Sequence, residues 1–165
     1  MSQRPILKYW IETLTGEEAG QILSWRYQPP YDFYNPPQQE SHEPIVKEFL
    51  KPANGFHGIR DDQHRFVGFC SFGHDGRVLG GRYEDDAMDI GLGMKPQFTS
   101  QGRGSEFFEA IVQHATNELE AEQLRLTVAD FNTRAIRIYA RLGFEVKDHF
   151  VDFLSSEPHT IMVRS

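Results

Sequence analysis

Apolar residues recur at every second position in some stretches and at every third or fourth in others, and this difference predicts the order of strands and helices. Short apolar runs predict strands over residues 6–11, 56–60, 65–73, 87–94, 123–128, 144–154 and 159–164. Helical spacing predicts helices over residues 15–27, 42–50 and 132–143, and one from Gly102 to about Glu120. The chain thus begins with a strand and a helix, continues with a hairpin and strand–helix–strand units, and ends with a further hairpin. This order predicts an α+β fold, in which helices cover both faces of a central, mixed, mostly antiparallel sheet.

Two stretches add detail to this outline. The helix that starts at Gly102 should lie on the sheet with one apolar face, formed by Phe107, Phe108, Ile111, Val112, Ala115 and Leu119. Residues 28–39 contain four prolines and three aromatic residues. This composition excludes a regular helix and predicts an ordered loop.

Length and charge narrow the class of protein. The 165 residues suit one domain, which we expect to span residues 1–165, with a core that needs neither metal nor disulfides. The net charge of −7 argues against nonspecific nucleic-acid binding, which needs a basic surface, and suits a cationic or neutral partner better.

The single cysteine, Cys70, lies in an apolar run and is expected to be buried. The seven histidines lack metal-ligand spacing, so we expect no metal. No signal peptide or bilayer-length apolar window is visible, so we expect a cytoplasmic protein without a membrane partner.

The connection between the fourth strand and the long helix is a glycine-rich turn. Gly102 and Gly104 flank Arg103, at a helix N-terminus where free backbone N–H groups and the helix dipole favour phosphate. Neither common nucleotide motif fits, because the third glycine of a dinucleotide-binding pattern is Phe107 and no G-K-S or G-K-T is present. Two glycines alone are also compatible with a tight connection that binds nothing.

A second motif follows at the next strand and helix. Asn132 comes after the strand, Tyr139 lies seven residues later, and Gly143-Phe144 closes the helix. Together with Pro96, Phe98, Gly102 and Gly104 in the pattern P-x-F-x-x-x-G-x-G, this order resembles the GNAT superfamily of N-acetyltransferases over residues 87–146. The resemblance is strongest to bacterial members similar to ribosomal-protein-alanine acetyltransferases.

This resemblance implies an acetyl-CoA-dependent enzyme and a set of site residues. Backbone groups of Leu92, Gly93 and Met94 would contact the acetyl-pantetheine arm, and Asn132 would hydrogen-bond it. The coenzyme A pyrophosphate would be wrapped by Ser100, Gln101, Gly102, Arg103, Gly104 and Ser105. Thr99 stands where the family has arginine or glutamine, which removes a long polar side chain but leaves the phosphate-binding amides.

Direct acetyl transfer to an amine needs a polarised carbonyl, a neutral amine and a proton for the leaving thiolate. The Met94 N–H could polarise the carbonyl, since two nearby glycines suggest an irregular strand. Tyr139 could donate the proton, although a packed helix aromatic is the alternative. No base is apparent, because Thr127 stands where related enzymes often have glutamate. Asp89 and Asp130 are expected to be structural or solvated, which leaves a water chain as an option.

The acceptor and the assembly state stay open at this level. Residues 31–34 either line the acceptor side of the cleft or pack inward as a surface loop. Arg134, Arg137 and Arg141 form a basic stripe that either approaches phosphates or is solvated. We expect the acceptor to be a small-molecule amine or a protein N-terminus, with a non-catalytic acyl-CoA-binding regulatory module as the alternative function. A homodimer is also an option.

Overall fold

The computed structural model describes residues 8–84 and 86–165, and a seven-stranded sheet forms the centre of this part of the chain. The strands are β1 (Tyr9–Thr13), β2 (Phe56–Asp61), β3 (Phe66–Phe72), β4 (Met88–Met94), β5 (Leu124–Ala129), β6 (Glu145–Val151) and β7 (Pro158–Arg164). The helices are α1 (Gly16–Ser24), α2 (Glu43–Leu50), α3 (Gly104–Asn117) and α4 (Thr133–Arg141). Residues 6 and 7 of the predicted first strand lie outside the described residues.

The strands lie in the order β1-β2-β3-β4-β5-β7-β6. In the described part of the chain every neighbouring pair is antiparallel except β4 and β5, which are parallel. The predicted mixed, mostly antiparallel sheet is therefore confirmed. The parallel pair has only two paired positions, Met88 with Leu124 and Asp89 with Arg125. Beyond them the two strands separate, so a gap opens between their C-terminal halves.

A buried ion pair lies where β4 and β5 begin to separate. Arg125 Nε and Nη2 donate to the two carboxylate oxygens of Asp89 at 2.7 and 2.8 Å. Arg77, from the loop before β4, donates from Nε to the same carboxylate at 2.8 Å. Both Asp89 and Arg125 are about 98–99% buried, so the pair lies in a medium where its charges are poorly screened. Asp89 therefore has a structural role, as its sequence position suggested.

Two apolar clusters lie on opposite faces of the sheet. The larger one holds α3 and α4, and the predicted inward residues Phe107, Phe108 and Ile111 are fully buried in it. The smaller one holds α1, with Ala19, Ile22 and Trp25 buried against β3, and α2 packs onto it. Cys70 is completely buried in the larger cluster, and this burial raises the pKa of its thiol, so the prediction of an unreactive buried cysteine is confirmed.

The ends of several elements differ from the sequence prediction. Helix α3 begins at Gly104 and ends at Asn117, since Glu120 has a left-handed backbone with φ of 54°. Leu119 therefore lies beyond the helix and is exposed instead of buried. The long strand predicted to end at residue 154 stops at Val151, because Asp152 accepts the Leu154 N–H and begins a turn. Local side-chain hydrogen bonds of this kind compete with strand pairing.

None of the helices in the described ranges is long and apolar enough to cross a bilayer.

Asp89→Asn should lower the free energy of unfolding by about 3–5 kcal/mol, because it leaves the buried Arg125 guanidinium without a full counter-charge. Urea denaturation followed by circular dichroism measures this change. The matched control is Asp62→Asn on the β2–β3 turn, where the surface pair with Lys8 is 3.9 Å long and should contribute less than about 1 kcal/mol. Equal effects of the two substitutions would contradict a special role for the buried pair.

Candidate active site

A cavity of about 740 Å³ lies in the gap between β4 and β5. One wall is the C-terminal half of β4, the opposite wall is β5 with the first turns of α4, and the N-terminus of α3 lies at one end. This cavity, the cleft, is large enough for a cofactor-sized ligand.

The backbone of β4 presents free polar groups to the cleft. In its ladder with β3, Gly73 N–H donates to Asp89 O at 2.9 Å and Lys95 N–H donates to Val67 O at 2.7 Å. Hydrogen-bonded positions alternate along an antiparallel pair, so odd-numbered residues of β4 face β3. The N–H and C=O groups of Leu92 and the N–H of Met94 therefore point toward the cleft as free groups, whereas the Met94 C=O accepts a hydrogen bond from the Tyr27 hydroxyl.

The sequence suggested that the glycines of β4 make this strand irregular, but in the structure they allow it to pack closely on β3. The β3–β4 register runs without a shift from Gly68–Met94 to Phe72–Ile90, so the prediction of an irregular strand is wrong. A Cβ at Gly91 would lie 2.4 Å from Ser71 Oγ, and one at Gly93 would lie 2.4 Å from the Phe69 ring. Side chains at these positions would displace β3, so glycine keeps β4 straight along the cleft.

The turn before α3 has the backbone geometry of an anion site. Ser100 and Gly102 both have left-handed backbones, with φ of 61° and 72°. No side chain caps α3, because Arg103 at the cap position makes no capping hydrogen bond. The first N–H groups of a helix lack partners within the helix, so an uncapped N-terminus leaves them available to a ligand. A Cβ at Gly102 would meet nothing within 4 Å, so its glycine is needed for the backbone angle alone.

The predicted site residues divide between the cleft wall and its surroundings. Those that line the cleft are Leu92, Gly93, Met94, Ser100, Gly104, Asn132 and Tyr139. Those of the turn that do not line it are Gln101, Gly102, Arg103 and Ser105. The side chain of Arg103 approaches the Tyr9 hydroxyl, where it partly opposes the rise in the pKa of Tyr9 that burial causes.

The basic stripe on α4 is split between two environments. Arg134 lines the cleft, donates from Nη1 to Ser100 Oγ at 3.0 Å, and places its guanidinium 4.8 Å from the Tyr31 ring centroid. Arg137 donates only to the Thr133 carbonyl of its own helix at 3.4 Å and is exposed, as is Arg141. Arg134 is therefore the member of the stripe that can reach a ligand phosphate at the turn before α3.

Tyr139 lies at the inner wall of the cleft with 8% of its surface exposed. Its ring packs 4.6 Å from Phe108 and 6.4 Å from Phe144, so the packing role considered from the sequence is present. Its hydroxyl has no hydrogen-bond partner in the described part of the chain. Burial and the nearby Tyr34 raise the pKa of Tyr139, so the phenol keeps its proton at neutral pH.

Asn132 connects α4 with the loop that follows α1. Its Oδ1 accepts the Ala135 N–H at 3.2 Å, which caps α4. Its Nδ2 donates to the Tyr34 hydroxyl at 3.3 Å. A contact between Asn132 and the pantetheine arm stays a prediction.

Residues 27–34, which we call the cover segment, cross from one side of the gap to the other. At one end the Tyr27 hydroxyl donates to Met94 O on β4 at 2.7 Å, and burial raises the pKa of Tyr27 to about 12. At the other end Tyr31, Phe33 and Tyr34 pack on Phe131, which follows β5, with ring centroids 5.6–6.2 Å apart. Tyr31 and Tyr34 line the cleft, as the first sequence alternative expected. The rings contact Phe131, but Phe33 and Tyr34 stay 36% and 40% exposed, so the segment does not pack inward as the second alternative expected.

The residues considered as bases have structural partners. Thr127 Oγ1 shares a hydrogen bond of 2.8 Å with the Tyr83 hydroxyl, which also accepts the Val78 N–H at 3.0 Å. Asp130 accepts a hydrogen bond from the Thr160 hydroxyl at 2.6 Å. Asp130 is also exposed, so it has a structural partner and is solvated, in agreement with both expectations for this residue. Thr127 anchors the loop before β4.

Sequence reasoning missed one carboxylate in the wall of the cleft. Asp75 lies in a single 3₁₀ turn, His74–Gly76, directly after β3. Gly76 packs so closely on β4 that an added Cβ would be 3.0 Å from the Ile90 carbonyl. This contact fixes the turn, and Asp75 Oδ2 lies 3.7 Å from where a Gly91 Cβ would be. The only sequence signal was an acid between two glycines after an apolar strand, a pattern typical of any turn.

The model of the GNAT acetyltransferase family matches residues 19–144, so the chain belongs to that family. It is an N-acetyltransferase that transfers an acetyl group from acetyl-CoA to an amine, and the predictions of family, fold and acetyl donor are confirmed. The alternative of a non-catalytic module is set aside. The narrower likeness to ribosomal-protein-alanine acetyltransferases stays a prediction, and no curated protein sequence matches the chain significantly.

Solved structures of acetyltransferases have the same fold. Spermidine N-acetyltransferase from Vibrio cholerae in complex with CoA and spermine is 14% identical, with a TM-score of 0.73 and 94% of each chain covered. A GNAT-family acetyltransferase from Bacillus anthracis is 13% identical, with a TM-score of 0.71 and coverage of 94% of this chain and 93% of that one. A dodecameric structure of the Vibrio cholerae enzyme is 15% identical, with a TM-score of 0.69 and coverage of 94% and 92%. At these identities the likeness establishes the fold alone.

Arg134→Gln should weaken the binding of coenzyme A by about tenfold at low ionic strength, because a hydrogen bond between charged groups contributes about 1.5–3 kcal/mol and Arg134 is open to screening by solvent. Titration calorimetry measures the dissociation constant. The matched control is Arg137→Gln on the next turn of α4, which should leave the affinity unchanged. An equal loss in both variants would mean that the general charge of α4, and not the position of Arg134, attracts the ligand.

Proposed function

We propose that this N-acetyltransferase acts on the primary amine of a small molecule, within a single domain that comprises residues 1–165. The observation that carries the proposal is the cover segment, which joins the ends of β4 and β5 above the cleft through Tyr27 and Tyr34. A protein N-terminus would need an open groove for the residues that follow its amine. A covered cleft favours an acceptor that enters whole.

The donor side of the cleft supports binding of acetyl-CoA through backbone groups. The free amides at the start of α3, together with the turn Ser100–Ser105, would hold the pyrophosphate, and Arg134 would add the positive charge. The Leu92 backbone groups that face the cleft would pair with the amide groups of the pantetheine arm, as an added strand would. Asn132 would contribute its amide once Tyr34 shifts.

The bound thioester supplies an electrophilic carbonyl and a thiolate leaving group. The Met94 N–H would donate to the carbonyl oxygen as negative charge develops on it. The nitrogen of the neutral acceptor forms the new C–N bond, and the C–S bond breaks with its electron pair on sulfur. Tyr139 donates its phenolic proton to that sulfur and regains one from the acceptor nitrogen through water. One proton thus moves from nitrogen to sulfur, and the products are an N-acetylated amine and free coenzyme A.

Tyr139 suits the role of acid because it stays protonated. Its hydroxyl has no hydrogen-bond partner among the described residues, so it is available to a ligand, and its raised pKa prevents loss of the proton before transfer. A phenol in this position is a feasible proton donor for a thiolate. A cytoplasmic location and a homodimer stay predictions.

Tyr139→Phe should lower kcat by about 10²–10⁴-fold, because the substitution removes the proton donor. The affinity for coenzyme A should stay the same, because the lost hydroxyl makes no hydrogen bond to the described part of the chain. Release of free coenzyme A, followed with a thiol reagent over a panel of primary amines, measures kcat. Calorimetry with coenzyme A and thermal unfolding serve as controls for binding and folding. A variant that keeps wild-type kcat would remove Tyr139 from the mechanism.

The pH dependence tests the same assignment. The pKa of an alkylamine is about 10.4. Below this pKa the neutral amine is the minor but reactive form, so kcat/KM should rise by up to about tenfold per pH unit between pH 6 and 9. Tyr139 should add no descending limb in this range, since its pKa is raised and the acid form is retained. A decline toward pH 9 that disappears in Tyr139→Phe would show that the phenol ionises within this range and contradict the assignment.

A further inference from the structure

A second, smaller cavity adjoins the cleft. It has a volume of about 240 Å³ and lies between α1 and α2, where its wall includes Ile22, Trp25, Ile45 and Phe49. We call it the aromatic pocket. The pocket and the cleft share four lining residues, namely Tyr27, Tyr34, Phe69 and Asp75. The two cavities therefore meet at these four residues, and a ligand group at Asp75 lies next to both.

Asp75 is the only acidic residue among the described residues that line either cavity. Its carboxylate has no ion pair and no hydrogen bond to the described part of the chain. The side chain is exposed to solvent on one side. The apolar wall on its other side removes part of its hydration, which raises the pKa of the carboxyl group. A carboxylate that loses hydration without gaining a cation inside the protein is suited to accept a cation from a ligand.

We infer that the acceptor is a primary amine with one positive charge and an apolar body, that its ammonium binds Asp75, and that its body enters the aromatic pocket. This inference rests on the proposed function and assigns the acceptor side of the same site. Asp75 lies in the common wall, so one ligand can meet both features at once.

The pocket fits an apolar body by size as well as by composition. A cavity of about 150 Å³ lined by apolar side chains is enough to bind benzene. The aromatic pocket is larger and has aromatic and aliphatic walls, so it accommodates an aromatic ring or a branched alkyl group. Transfer of such a group from water contributes about 25 cal/mol per Å² of apolar surface that becomes buried.

A polyamine fits these walls poorly. It carries two or more cations along its length, and the charged residues that line the two cavities are Asp75, Arg26 and Arg134 in the described part of the chain. One carboxylate can pair with one ammonium. A second ammonium would face either an apolar pocket, where its desolvation is costly, or an arginine, which repels it.

Asp75 also gives the bound ammonium a route for its first proton. The ammonium loses one proton to the carboxylate, which passes it to water, and the neutral nitrogen then reacts as described above. Of the three nitrogen protons, one is released, one replaces the proton that Tyr139 gives to sulfur, and one stays on the amide.

The test compares 2-phenylethylamine with spermidine, glucosamine and a short peptide with a free N-terminus. Free coenzyme A release gives kcat/KM for each amine, and calorimetry in the presence of coenzyme A gives amine affinity without turnover. We expect 2-phenylethylamine to be the best substrate by at least about tenfold. In Asp75→Asn its affinity and kcat/KM should fall by about 10–100-fold, because a hydrogen bond between charged groups is lost.

Two further variants separate the features. Ile45→Trp, on the partly exposed helix α2, should fill the aromatic pocket and raise KM for 2-phenylethylamine while the affinity for coenzyme A stays unchanged. Asp62→Asn on the β2–β3 turn controls for loss of one negative charge and should have no effect. Preference for spermidine, or unchanged amine affinity in Asp75→Asn, would overturn this inference and leave amine acetylation in place. A wild type that binds acetyl-CoA but acetylates only the peptide would overturn the small-molecule proposal as well.

Discussion

The Asp89–Arg125 ion pair is the constraint on which the rest of the structure depends. It joins β4 and β5 at the last position where they are paired, and its two direct hydrogen bonds are 2.7 and 2.8 Å long. If the strands stayed paired beyond this point, the backbone groups of Leu92 and Met94 would bond to β5 and the cleft would not exist. Removing one partner of a buried, hydrogen-bonded ion pair is costly, so this pair fixes the point at which the gap between β4 and β5 begins. The active-site cleft therefore exists because the β4–β5 ladder ends at this ion pair.

The opposite end of the gap is held by contacts of a different kind. The cover segment is anchored on β4 by the Tyr27 hydroxyl and on the residues after β5 by a group of aromatic rings around Phe131. The two strands are thus joined at one end by charge and at the other by aromatic packing, and the site lies between. This arrangement also explains why Asn132 and Arg134 contact the cover segment, since both lie at the start of α4 next to Phe131.

The sequence predicted the backbone features around the cleft better than the loops that meet there, and the reason is physical. Glycines and helix starts indicate backbone geometry locally, so the turn at Gly102 and the face of α3 at Phe107 and Phe108 could be predicted. The rest of the cleft wall depends on which loops meet in space. Asp75 is separated from Tyr139 by 64 residues, and no periodicity indicates that both line one cavity. The exposed Leu119 shows the same limit, because a left-handed residue after α3 overrides the apolar pattern.

Thr127 takes part in the structure around the buried ion pair. Its hydroxyl pairs with Tyr83, and the Tyr83 ring lies 5.0 Å from Arg125 and 5.3 Å from Arg77, the two cations that hold Asp89. A second carboxylate at this position would lie close to the same arginines and compete with Asp89 for them. Threonine instead supports the pair that opens the gap, through a neutral hydrogen bond. The acidic residue that lines the cleft within the described part of the chain, Asp75, comes instead from the turn after β3.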